Sequence, residues 1–282
     1  MLSSSQRRRV ALVRLSSILP IVFLTFAALM QAAPPAYAGD LDGIRARGAL
    51  RMICWPHQES LFIRRAEGDD TGLLDRFTGI DFELMRGFAA ELGVELQVVP
   101  SRLSFSQMFP DLQAGTGDVA ASSLTITPAR QALFDFSEPY FLEHMSVVTL
   151  KGSTIHSESD LAQYRGSVVE GSSHDQRLRR LVPKEQVVYV SYTTDALNKV
   201  QEGEADYALV DSATFVTASR KYPEMKKNLE VAFNFPDEEA YGIAVRKGSD
   251  LLPPLNAYLH RLKSSGELDR LIREYRERYQ DG

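Results

Sequence analysis

The sequence predicts an α/β protein built as two similar lobes, and three observations carry that prediction. Short apolar runs alternate with stretches whose apolar residues recur at helical spacing, an order that implies mostly parallel strands with helices on their faces. The alternation occurs twice. An extended stretch, Phe141 to Lys151, separates the two occurrences, and another, Tyr241 to Arg246, follows the second. Finally, roughly 240 residues remain once the N-terminal segment is set aside, enough for one large domain or two of ordinary size.

In chain order, Leu50 to Cys54 reads as a strand. Phe82, Leu84, Met85, Phe88, Ala89 and Leu92 fall on one helical face, and Gly93 ends that helix. Val94 to Val99 is the next strand, Phe105 to Ala114 a short helix ended by Gly115, and Val119 to Ser122 a third strand. Thr127 then serves as N-cap of a helix with Pro128 at its first position. The second occurrence runs strand Ser167 to Val169, helix Asp175 to Leu181, strand Val187 to Val190, helix Asp195 to Glu202, strand Tyr207 to Val210 and helix Thr214 to Lys221. The C-terminus is helical, with Leu255, Leu259 and Leu262 before a turn at Gly266 and Leu268, Leu271, Ile272 and Tyr275 after it.

Ligands in such sheets bind outside the carboxyl ends of the strands. The loops after Cys54, Ala121, Val169 and Val210 should therefore meet in one cleft. They carry Trp55, then Ser122, Ser123 and Thr125, then Ser172 and Ser173, and then Asp211. Arg130 follows closely. An arginine fork takes both oxygens of a carboxylate, and hydroxyls and turn amides supply the remaining donors. The cluster therefore suits a small carboxylate. Asp211 also stands where it would cap the next helix, and Ser172 and Ser173 where they would cap the Asp175 helix.

The N-terminus reads as a secretory signal peptide, residues 1–38. Arg7, Arg8, Arg9 and Arg14 precede a mostly apolar run from Leu15 to Met30, and Ala36-Tyr37-Ala38 gives a cleavage site after Ala38. A periplasmic or secreted location follows; the Arg8-Arg9 pair leaves the export route open between the general and twin-arginine pathways. Loss of these four arginines takes the formal net charge from −5 to −9, which argues against nucleic-acid binding. Cys54 is the only cysteine, so no intramolecular disulfide forms, and its place at the end of an apolar strand predicts a buried, inert thiol. The five histidines show no metal-ligand spacing, and neither a metal nor a cofactor is expected. Ser173-His174-Asp175 contains the names of a hydrolase triad, but adjacent residues cannot face one another in that way.

Six motifs in one order resemble the family 3 extracellular solute-binding proteins, over almost all of Leu41 to Gln280. Gly79-Ile80-Asp81-Phe82-Glu83-Leu84 is similar to the family's G-[FY]-D-[VI]-[DE]-L signature. Leu112 to Gly115 with Gly117 to Ala120 resembles its L-x-x-G-x-x-D-[VI] segment. Thr125 to Arg130 and Phe136 to Tyr140 resemble its [ST]-x-T-x-x-R and F-S-x-P-Y motifs. Gly203 to Asp206 leading to Asp211, and Tyr241 to Ala244 with Lys247-Gly248, complete the series. The resemblance implies a type II periplasmic-binding-protein-like fold, with two mixed or parallel sheets joined by two crossover strands. Lobe one would comprise residues 39–140 and 242–282, and lobe two residues 141–241. It implies that Arg130 clamps a ligand carboxylate with Ser123, Thr125 and the Ser172-Ser173 loop. Asp211 would take an ammonium, and Phe105 would cover the ligand. The implied function is capture of a small carboxylate-bearing solute, foremost an amino acid, by a monomer that delivers it to a membrane ABC permease. Two alternatives stand beside it: a periplasmic cyclohexadienyl dehydratase-like enzyme using Asp175 or Glu170 as acid, and a sensor input that touches another partner. The chain departs from the family in its first loop, Trp55 to Phe62, and in the polar stretch Arg64, Arg65, Asp69, Asp70, Asp75 and Arg76. Ligand side-chain specificity is therefore not carried over.

Overall fold

The computed structural model describes residues 40–56, 60–65, 77–101 and 103–280. The predicted signal peptide lies outside the described residues, as do Asp69, Asp70, Asp75 and Arg76 of the polar stretch.

The chain opens with helix α1 (Asp40–Arg47) and strand β1 (Ala49–Cys54), and a two-stranded ribbon follows, β2 (Arg64–Arg65) with β3 (Phe77–Thr78). Helix α2 (Ile80–Glu91), β4 (Glu95–Pro100), α3 (Met108–Gln113), β5 (Val119–Ala120), α4 (Pro128–Gln131) and β6 (Phe134–Phe136) come next. The middle of the chain gives β7 (Phe141–Leu150), β8 (Gly166–Val169), α5 (Ser173–Leu181), β9 (Val187–Val190), α6 (Thr193–Gln201), β10 (Tyr207–Asp211), α7 (Ser212–Lys221), α8 (Pro223–Asn228) and β11 (Leu229–Tyr241). It ends with β12 (Ala244–Arg246), α9 (Leu252–Ser265) and α10 (Glu267–Tyr279). Helix α2 forms where its apolar residues recur at helical spacing, burying Ile80, Leu84, Met85 and Phe88 against the same core as Leu255 and Leu259 of α9.

Two five-stranded sheets result, ordered β4-β1-β5-β12-β6 and β11-β7-β10-β8-β9. The strands β4, β1 and β5 are parallel, as are β10, β8 and β9. Each sheet also holds antiparallel strands: β12 against β5 and β6, and β7 against β10 and β11. Both sheets are therefore mixed but mostly parallel, as expected: β12 in one and β7 in the other run against the remaining four strands.

The stretch Tyr241 to Arg246 is not one strand. Tyr241 ends β11, Gly242 and Ile243 break the run, and β12 begins in the other sheet. Gly242 sits where the chain changes sheets; a Cβ there would lie 2.8 Å from Ile126 Cδ1, so the Ile126 side chain would have to give way. Strand β11 itself went unread in the sequence, because Pro236 and the acidic run beside it look like a loop. It is an edge strand, where proline is tolerated, and its register shifts between Asn234 and Glu238 around that proline.

The two chain passages between the sheets are bonded side by side. Tyr140 N–H donates to Tyr241 O at 3.0 Å, and the Phe141 and Tyr241 rings stack at 5.8 Å. Phe62 packs edge-on against both, at 5.0 and 5.2 Å.

Candidate ligand-binding cleft

The carboxyl ends of β1, β5, β8, β9 and β10 converge on one cavity enclosing about 510 Å³ of empty space, its open mouth included. All nine residues singled out from the sequence line it: Trp55, Phe105, Ser122, Ser123, Thr125, Arg130, Ser172, Ser173 and Asp211.

Arg130 is the centre of one wall. Thr127 caps α4, its side chain accepting from the Arg130 backbone N–H at 3.3 Å. This fixes the first turn so that the side chain points inward and is only 6% exposed. Its Nη1 donates to Thr125 O at 2.8 Å, and Nη2 reaches Gly171 O at 3.5 Å across the cleft. The guanidinium lies over the rings of Phe109 and Phe105, at 4.8 and 5.7 Å. Among the described residues no carboxylate forms a salt bridge with it. Burial accordingly pulls its pKa down to about 10, with Glu239 acting weakly in the other direction. A buried guanidinium with neutral partners and two ring faces beside it is a site for an external anion.

The opposite wall is acidic. Asp211 occupies the N-cap position of α7, but its side chain makes no capping bond there. Its Oδ1 lies 3.2 Å from Nε2 of His174. Burial pulls the His174 imidazole down, but the facing carboxylates of Asp211 and Glu239 outweigh that, and its pKa is raised. Glu239 joins the group from β11, its Oε2 accepting from Thr125 Oγ1 at 3.1 Å and from Ser173 Oγ at 3.2 Å. One ligating atom from each of His174, Asp211 and Glu239 lies within 4.8 Å of the others, an arrangement able to hold a small cation or an ammonium. Sequence spacing gave no sign of this group, because its members come from α5, β10 and β11.

Several of the expected ligand hydroxyls have internal partners. Ser122 Oγ donates to Trp55 O at 3.0 Å and accepts from Trp55 N–H at 3.2 Å, so it fixes the loop after β1. Ser172 Oγ caps α5, accepting from Asp175 N–H at 3.1 Å, and donates to Val169 O at 2.7 Å. Ser123 stands at φ 49°, left-handed for a non-glycine residue, a conformation that persists only where surroundings enforce it. Here Asp81 enforces it, with one carboxylate oxygen accepting from Ser123 N–H at 2.8 Å and the other from Tyr140 hydroxyl at 2.5 Å. The two acids considered for dehydratase chemistry do not line the cavity. Glu170 is exposed, and buried Asp175 accepts from Gly171 N–H at 2.9 Å and pairs with Arg179 at 2.9 Å. Cys54 is fully buried, and burial raises its thiol far above the ordinary range.

The cleft is closed. Thr125 Oγ1 and Ser173 Oγ meet at 3.1 Å, and Gly171, with φ +76°, packs so tightly that an added Cβ would lie 2.5 Å from Ser106 Cβ. Gly171→Ala is expected to wedge the cleft open and to weaken capture of any ligand that bridges it. Calorimetry should show a loss of affinity, with small-angle scattering reporting a larger radius of gyration in the presence of ligand than wild type.

A closed cleft between two mixed sheets, walled by a buried arginine on one side and Asp211 on the other, defines a two-lobed solute-binding protein. The chain belongs to the bacterial extracellular solute-binding proteins, family 3, whose model matches residues 67–278. It is 33% identical over 205 residues to the amino-acid-binding protein AabA of Dichelobacter nodosus, covering 70% of this chain and 79% of that one. It is 31% identical over 248 residues to membrane-bound lytic murein transglycosylase F of Photobacterium profundum, covering 84% of this chain but only 45% of that protein. The chain thus spans about half the length of that relative. Among solved structures, the amino acid ABC transporter substrate-binding protein AbpA from Streptococcus pneumoniae, bound to L-arginine, superposes with a TM-score of 0.74 at 26% identity. The match covers 85% of this chain and 99% of that one. Among the described residues no helix is long and apolar enough to cross a membrane.

Proposed function

We propose that the protein captures a single amino acid between its two lobes in the periplasm and presents the closed form to a membrane ABC permease. The observation that carries this reading is the division of charge in one cavity: buried Arg130, with no salt-bridge partner among the described residues, on one side and Asp211 on the other. A zwitterion matches both walls at once. Its carboxylate would take the Arg130 fork and its ammonium the Asp211 carboxylate, each bond charge-assisted. Ligand that bridges both lobes stabilises the closed form. The amino-acid-binding relatives support the same class of ligand, and the ABC transporter setting of AbpA supports the permease.

The test is thermal unfolding of residues 39–282 in the presence of each of the twenty amino acids, small dicarboxylates and prephenate. One class of amino acid should raise the midpoint through linkage, by an amount that grows with concentration. A rise with prephenate and its turnover, and none with any amino acid, would replace this reading with the dehydratase.

A further inference from the structure

Tyr192 was not among the residues expected at the site, yet it changes what the cavity can hold. It stands at the N-cap position of α6, in the loop after β9. Its ring stacks on Trp55 from the opposite lobe, with centroids 5.1 Å apart and planes inclined by 13°. Trp55 Nε1 donates to Ser191 O at 3.2 Å, a further bond across the cleft. Ser122 fixes the Trp55 backbone from both sides, so the loop that carries the ring is anchored within its own lobe. Trp55 is 7% exposed and Tyr192 37%, which places Trp55 inward and Tyr192 at the rim.

Two features follow from this geometry. A planar side chain sandwiched between two rings needs roughly 3.5 Å on each face, about 7 Å in all, and the 5.1 Å stack leaves no such slot. The space beneath is also small. About 50 Å³ is open to the centres of water-sized spheres, and one water needs ~10–15 Å³ on that measure. A few groups of that size fit: a carboxylate, an ammonium and a short side chain. The charged side chains among the described lining residues are Arg130, His174 and Asp211, and the two α-groups of the ligand engage them. Among the described lining residues no second carboxylate is left for a distant guanidinium or ammonium.

We propose that Trp55 and Tyr192 form a lid joining the two lobes. By its closure the lid selects an amino acid with a short, uncharged side chain, such as alanine or serine, over the arginine that AbpA holds. This rests on the amino-acid reading above and specifies its ligand. Trp55 is the chain's only tryptophan, so its emission reports the lid directly.

The experiment is calorimetric titration of wild type and Tyr192→Ala with alanine, serine, arginine and phenylalanine, followed in parallel by tryptophan fluorescence. Wild type should bind alanine or serine at least about tenfold more tightly than arginine or phenylalanine. Its emission should shift to shorter wavelength on binding. In Tyr192→Ala the preference should shrink and the shift should diminish, because the ring that covers Trp55 is gone. Arginine bound more tightly than alanine and serine by wild type would overturn the lid while leaving the amino-acid reading in place. So would a Tyr192→Ala variant with unchanged preference and unchanged emission. No binding of any of the four would overturn this selectivity, and the amino-acid reading falls with it only if the full panel is silent as well.

Discussion

Arg130→Ala is expected to abolish capture of the ligand while leaving the fold close to intact. In wild type the guanidinium is buried among neutral partners, Thr125 O and Gly171 O, and two phenylalanine rings. A carboxylate arriving there completes the arrangement. Without the arginine the same carboxylate enters a dry pocket unpaired, at a cost of roughly 2–5 kcal/mol, which weakens binding about 30- to 4,000-fold. The fold should suffer little, because two effects oppose each other. Thr125 O loses a donor, which costs about 1–3 kcal/mol. The variant also no longer buries a charge, and burial is the cause that pulls the Arg130 pKa down to about 10. Arg130→Lys keeps the charge but not the planar fork, and should recover only part of the affinity. Calorimetry decides the matter: wild-type affinity in Arg130→Ala would remove this residue from the site.

The second large effect is on stability against pH. The protein should be most stable in mildly acidic solution and lose stability as pH rises from 4 to 7. Asp81 is fully buried, and burial raises its pKa from 3.8 to about 6 in spite of the lowering hydrogen bonds from Tyr140 and Ser123. The folded state therefore holds this proton over a window in which the unfolded chain has released it. The stability this contributes is present below about pH 4 and is lost as pH rises towards 6, by about 3 kcal/mol for a shift of that size. Glu143 acts in the same direction, its pKa raised first by burial and then by Asp211. His174 extends the decline above about pH 6.5, since a raised imidazole stabilises the fold below its unfolded pKa and loses that contribution as pH rises through the folded one. Asp135 works in the opposite direction, its pKa lowered by Lys247 and by Gly248 N–H, and it limits stability on further acidification. Urea unfolding at pH 4, 5, 6 and 7 should show the decline in wild type and a shallower one in Asp81→Asn. Equal slopes in the two proteins would assign the effect elsewhere.

Much of the site was legible because it depends on chain order. The alternation of strands and helices placed the loops after Cys54, Ala121, Val169 and Val210 at one edge, and the motif around Arg130 named its centre. What stayed hidden depends on contacts between distant segments. Glu239 lies in a strand whose proline and acidic neighbours read as a loop. His174 counted only as one of five histidines without metal-ligand spacing, because nothing in the sequence says that Asp211 and Glu239 face it. Tyr192 follows a strand whose end the sequence marked correctly, but only the closed cleft brings it onto Trp55. The hydroxyls show another limit: Ser122 and Ser172 were in the right place, yet their hydrogen bonds hold loops together. Asp81 was visible only as part of a motif, and its grip on the left-handed Ser123 needed coordinates.

The position of β12 bears on how the chain reaches this structure. It lies between β5 and β6 in the first sheet, although the whole second sheet precedes it in sequence. The N-terminal half therefore cannot complete its own sheet during synthesis, and β5 keeps an open edge until residues 244–246 arrive. Pairings of such wide sequence separation form slowly, and an open strand edge in the meantime invites association with other chains. Folding of the first lobe thus waits for the second. A chain stopped short of Ala244 would be left with an unfinished sheet and an exposed edge, not with one intact lobe.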